Sequence, residues 1–121
     1  MKNQIKKVLP LAVTQALKSP MLHRHGAVIW KRNQILGAGY NHSNTLSDTS
    51  RRHSVHSEKD AMKGLHESQL RGASVLAIRL NRSDEIVSGA PCKGCSKLMK
   101  RKGISKCYWY DTNGNLNCTH Y

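Results

Sequence analysis

The chain has 121 residues, enough for one domain around a single core and too few for two. It carries 20 Lys and Arg against seven Asp and Glu, a formal charge of +13, which suggests polyanionic or phosphorylated partners and says nothing about fold. No stretch approaches the roughly 20 apolar residues of a membrane helix, so no membrane partner is expected.

In chain order, Ile5, Val8, Leu9, Ala12, Val13, Ala16 and Leu17 recur at helical spacing. Pro10 interrupts this pattern, so the helix is expected to start or kink there, and Ser19-Pro20 ends it. The same proline and the polar Thr14 and Gln15 argue against a secretory leader; a cytoplasmic chain is expected. Residues 26–30 and 35–40 are apolar runs around a polar turn, which predicts a hairpin. Asn41 to about Ser54 is polar and irregular and reads as one long loop, a kind that is often functional. Ser57 to about Ser68 reads as a helix through Ala61, Met62 and Leu65, and residues 73–80 as a strand. A second loop reaches Pro91, and Lys93 to about Lys102 forms a basic helix with Leu98 and Met99 inward. Residues 107–110 and 116–121 flank Asn113-Gly114, a strong hairpin signal. The order α-β-β-α-β-α-β-β predicts an α/β fold with a mixed sheet between helices, in a single domain spanning 1–121.

Chemistry concentrates in His56-Ser57-Glu58 and Pro91-Cys92-Lys93-Gly94-Cys95, each opening a predicted helix. Cys92 and Cys95 share a first turn, where the helix dipole and free N–H groups favour thiolates. His56, Cys92 and Cys95 make a ligand set suited to zinc that leaves a fourth position open, as a catalytic site requires. Glu58 lies two residues from a ligand and can move protons without binding metal, while bound zinc brings the pKa of water towards about 7. The competing reading is a closed structural zinc completed by Cys107 or Cys118. Taking Asn113-Gly114 as the central turn residues puts Cys118 opposite Trp109 with Cys107 diagonal to it, so both read as strand residues and a mutual disulfide is not expected.

The joint pattern H-x-E…P-C-x-x-C is the zinc deaminase signature. Through these motifs, and through segments 24–29, 37–42, 54–61 and 103–110, the chain resembles the cytidine deaminase-like superfamily over nearly its whole length. It looks most like small cytidine and deoxycytidylate deaminase zinc-binding proteins. The resemblance implies a three-layer α-β-α fold on a five-stranded mixed sheet with an antiparallel terminal hairpin. It implies zinc on His56, Cys92 and Cys95, Glu58 as proton shuttle, and Asn41, in the G-x-N position, on the substrate sugar. Ser57 stands where that family usually has Ala, and Ser96-Lys97 follow Cys95 where free-nucleoside enzymes usually have Arg-Gln. The terminal hairpin is the arrangement of the free-nucleoside branch.

The expected activity is therefore hydrolysis of cytidine, deoxycytidine or dCMP to the uracil product with release of ammonia. Arg51 and Arg52, in the loop entering the site, are the expected phosphate contacts. Lys93, Lys97, Lys100 and Arg101 open one alternative, deamination within RNA or single-stranded DNA; a second is a non-catalytic zinc-stabilised nucleic-acid-binding module that keeps the fold for attachment. A proton shuttle argues against the second. The resemblance further implies a homo-oligomer.

Overall fold

The computed structural model describes residues 2–44 and 53–121. Helix α1 (Lys2–Lys18) runs through Pro10 instead of starting there. Ile5 and Val8 are buried with Ala12 and Ala16, so starting the helix at Pro10 would lose the turns that bury Ile5 and Val8. The proline is on the exposed side.

Strands β1 (Arg24–Lys31) and β2 (Gln34–Tyr40) form the expected antiparallel hairpin, with Arg32 at φ 56° in the turn. The segment expected to be only loop is not. Its ends, β3 (His42–Asn44) and β4 (His53–Val55), pair antiparallel in a separate two-stranded sheet. The single helix expected after Ser57 is broken into α2 (Ser57–Met62) and α3 (Glu67–Leu70). Gly64 stops the first at φ +79°, a conformation that costs glycine little, and a capping box between His66 and Gln69 starts the second.

Strand β5 (Ser74–Leu80) is followed by β6 (Ile86–Val87), a short hairpin partner inside the stretch expected as loop. Asn81 closes the turn between them, its Oδ1 accepting from the N–H groups of Ser83 and Glu85 at 2.9 Å. Helix α4 (Lys93–Arg101) then leads to β7 (Lys106–Tyr110) and β8 (Leu116–His120). The main sheet runs β2-β1-β5-β7-β8, with β6 beside the end of β5. The pair β5–β7 is parallel and all its other pairs are antiparallel. This is the mixed five-strand path of the expected fold with one short strand added.

The terminal hairpin forms in a different register from the one expected. Asp111 takes N–H bonds from Asn113 and Asn115 on Oδ1 and from the Asn117 side chain on Oδ2, each at 2.9 Å. That stabilises a loop longer than a two-residue Asn-Gly turn, and Cys118 falls opposite Tyr108 rather than Trp109. Cys107 is buried, Cys118 exposed, and both are free thiols.

Helix α1 covers one sheet face, where Val28, Trp30, Leu76, Ile78, Leu80 and Tyr108 make the core and Tyr108 stacks on Trp30 at 5.9 Å. The α2 to α4 layer covers the other, over Ala27, Ile29, Val75, Ala77 and Cys107. Glycines set how closely the helices approach. A Cβ on Gly26 would collide with the backbone of Ala12 and Ala16, and one on Gly39 with that of Asp60 and Ala61. No helix among the described residues is long and apolar enough to cross a membrane.

Candidate active site

His56 and Cys92 have extended backbones (ψ 154° and 164°) and are the N-cap residues of α2 and α4. Both helices therefore begin with a potential ligand at the first turn, on the same side of the sheet. His56 Nδ1 lies 3.5 Å from Cys92 Sγ and 3.3 Å from Cys95 Sγ. A tetrahedral zinc with Zn–N of about 2.0 Å and Zn–S of about 2.3 Å separates its donors by about 3.5–3.8 Å; the two nitrogen–sulfur distances are close to this, and all three donor atoms lie within 4.8 Å of one another, so the group could hold one ion. Burial first, then the nearby Glu58 charge, push the Cys95 thiol up. A thiolate there needs a cation beside it. The Cys95 N–H, 3.4 Å from Cys92 Sγ, supports the other sulfur.

These three residues form the one group of potential metal donors among the described residues, and neither Cys107 nor Cys118 joins it. The closed structural site considered from sequence is thereby set aside. Three donors and an open side are the arrangement of catalytic zinc.

Glu58 is 5 % exposed, and its Oε1 accepts a 2.6 Å hydrogen bond from Ser57 Oγ, which is itself fully buried. Ser57 and Glu58 line a cavity of about 360 Å³ together with His56, Cys92, Ala90 and a wall made by Met21, Leu22, His23, His25 and Asn41. That volume falls within the range of about 300–1,000 Å³ usual for small-molecule sites. Burial, the largest influence, holds His25 below the ordinary histidine range.

Asn41 faces this cavity and also fastens its wall. Its Oδ1 accepts from the His25 N–H at 2.8 Å, its Nδ2 donates to the His23 carbonyl at 2.6 Å, and its own carbonyl accepts from Ser19 Oγ at 2.9 Å. Arg51 and Arg52 lie outside the described residues. Lys93, Lys97, Lys100 and Arg101 are exposed on α4. Tyr108 is core, and Trp109 is half-buried with its Nε1 donating to Thr119 Oγ1 at 3.1 Å, so neither is a free stacking platform.

Residues that the motif reading did not single out are His23, His25 and Arg79. His25 and Arg79 are cross-strand partners between β1 and β5, and Arg79 Nη2 contacts His23 Nδ1 at 3.0 Å. The alternation His23-Arg24-His25 ahead of an apolar strand was the only local signal. It puts the two histidines on one side and Arg24 on the other, where it bonds Asn81 and Asp84.

Comparison with known proteins agrees with this geometry. The family model described as the cytidine and deoxycytidylate deaminase zinc-binding region matches residues 2–111. Among solved structures, cytidine deaminase from Burkholderia pseudomallei has a TM-score of 0.69 at 17% identity, covering 95% of this chain and 91% of that one. The apo dCMP deaminase of cyanophage S-TIM5 has a TM-score of 0.64 at 23% identity, covering 92% and 86%. The same phage enzyme in complex with dCMP and dUMP gives 0.58 at 19%, covering 91% and 79%. No curated protein matches.

Proposed function

The chain belongs to the cytidine and deoxycytidylate deaminase zinc-binding family, and from that premise we propose that it hydrolyses the exocyclic amine of a cytosine nucleoside or nucleotide, acting as one domain over 1–121. The observation that carries the reading is a buried carboxylate, Glu58, in the same cavity as His56 and Cys92 of the metal-donor group.

His56, Cys92 and Cys95 would hold zinc, which supplies the Lewis acidity that makes water a nucleophile at neutral pH. Glu58 does the proton work. With Oε1 held by Ser57, the carboxylate is fixed where it can accept a proton from the attacking water and pass it to ring N3. Once the water oxygen has bonded to C4, the same carboxylate takes the remaining proton of that oxygen and delivers it to the amine as the C4–N bond breaks. Ammonia leaves, and the ring keeps the oxygen as uracil. The buried setting keeps bulk water from competing for these protons.

Asn41, Arg51 and Arg52 complete the proposal as substrate contacts, with a homo-oligomer as the working assembly. The exposed cations of α4 support a second reading, deamination of a base within single-stranded nucleic acid. Ammonia release from cytidine, deoxycytidine, dCMP, guanine, adenosine and a single-stranded oligonucleotide tests both. Turnover of the cytosine monomers is expected. Activity on the oligonucleotide alone, falling steeply with salt, would overturn it in favour of the second.

A further inference from the structure

Arg79 is the last zinc-face residue of β5, and its guanidinium is incompletely satisfied. The fork of an arginine presents Nε–H and one Nη2 N–H along a single edge, matched to two acceptors. Here Nη2 meets His23 Nδ1 at 3.0 Å, and because arginine only donates, that imidazole nitrogen must be the acceptor. The other donor of the edge, Nε, is buried with no hydrogen-bond partner among the described residues. An edge built for two acceptors holds one. A buried donor left unpaired is costly, more so on a charged group, so its retention needs a reason.

No carboxylate neutralises this cation among the described residues. Asp111, which shares a surface cavity with Arg79, spends its oxygens on Asn113, Asn115 and Asn117. Arg79 lines a surface cavity next to the Glu58 cavity and reaches that cavity's wall through His23. His23 is in the wall of the Glu58 cavity, and His25 of the same wall is the cross-strand partner of Arg79. Gly89 lies directly on Arg79, where an added Cβ would come within 3.0 Å of its backbone nitrogen, so the segment leading to Cys92 rests on this residue.

We propose that Arg79 and His23 form a phosphate subsite beside the catalytic cavity, reached through the His23 wall, and that the substrate is a cytosine nucleoside monophosphate. This rests on the deaminase reading above and narrows it from nucleoside or nucleotide to nucleotide. When the ligand arrives, His23 gives up its place on the edge, and two phosphate oxygens accept from Nε and Nη2 together. A terminal monoester, with about 1.5–2 negative charges at neutral pH, suits one half-buried arginine. A strand of diesters would need a row of cations running through the site.

The test uses the zinc-loaded full chain and two readouts. In the first, kcat/KM for dCMP relative to deoxycytidine is compared between wild type, Arg79→Gln and Arg79→Lys. The ratio is expected to favour dCMP in wild type and to fall at least tenfold in Arg79→Gln, with Arg79→Lys recovering only part because it lacks the two-donor edge. In the second, calorimetric affinities of dUMP and deoxyuridine are compared, which needs no turnover; dUMP is expected to bind at least tenfold more tightly to wild type. A wild type that treats the members of each pair alike, or an Arg79→Gln ratio within twofold of wild type, overturns the subsite while leaving the deaminase intact. A dUMP preference lost in Arg79→Gln, in a chain that releases no ammonia from any substrate, upholds the subsite and sinks the deaminase reading. A loss confined to an oligonucleotide assigns Arg79 to polymer phosphates and overturns the proposal.

Discussion

The two faces of the central sheet solve the same packing problem with different side chains. Under α1 the sheet presents Val28, Trp30, Leu76, Ile78, Leu80 and Tyr108, bulky groups that bury apolar area. Under α2 to α4 it presents Ala27, Ala77 and Cys107 among fewer large residues, and the helices themselves contribute Ala61 and Cys95. Small side chains let the second helix layer settle close to the strands, with two helix starts meeting over their ends. At about 25 cal/mol per Å² the first face gains more from burial per residue. The second gives up part of that gain to bring His56, Cys92, Cys95 and Glu58 together. One face is a foundation, the other an instrument, and they should fail in different ways.

Removing a metal ligand should produce the largest effect and confine it to the instrument. His56→Ala or Cys95→Ser is expected to lose zinc and reduce ammonia release to background; a metal assay on purified protein beside the activity assay checks this. Glu58→Gln should come next, lowering kcat by about 10²–10⁴ while zinc content and melting temperature stay near wild type. Zinc loss in that variant would mean Glu58 is a ligand. Both results would sharpen the contrast, because neither touches the α1 face.

A matched pair of glycine substitutions attempts to break it. Gly26→Ala drives a methyl into the backbone of α1, and Gly39→Ala drives one into α2. Each should cost about 1–3 kcal/mol, as overpacking does, read by denaturant unfolding. Only Gly39→Ala should also weaken zinc retention and kcat, since α2 carries His56 and Glu58. Equal loss of activity in both would show that the faces are not separable.

The smallest effect concerns acid. Burial lowers the folded-state pKa of His25 from 6.5, so below about that pH the unfolded chain binds the proton more readily than the folded one. Stability should therefore decline as pH falls below about 6.5, and His25→Gln should flatten that part of the profile in thermal unfolding at a series of pH values.

The metal trio and its glutamate were legible in the sequence because each half is contiguous and opens a helix, so local spacing alone aims the donors. Apart from Asn41, the wall of the cavity was not. His25 meets Arg79 only through the β1–β5 register, and nothing in either segment announces a partner so far along the chain. The broken helix at Gly64 was hidden because Leu65 keeps the helical period across the break and still packs on the core. The hairpin register slipped by one because the Asp111 side chain, rather than the Asn-Gly backbone, defines the loop. The fold class survived these errors, since it depends on the order of elements and not on their ends.

The strand order has a consequence for synthesis. Strand β5 is paired on both sides, to β1 before it and β7 after it. While the ribosome is still delivering residues before Ser74, one edge of β1 is bare and the Val28 to Trp30 segment lacks its neighbour. A nascent chain stalled there exposes an apolar strand edge of the sort chaperones hold. Cys92 and Cys95 emerge later still, so the metal can be captured only after the sheet has its centre, and loading becomes a late step in maturation.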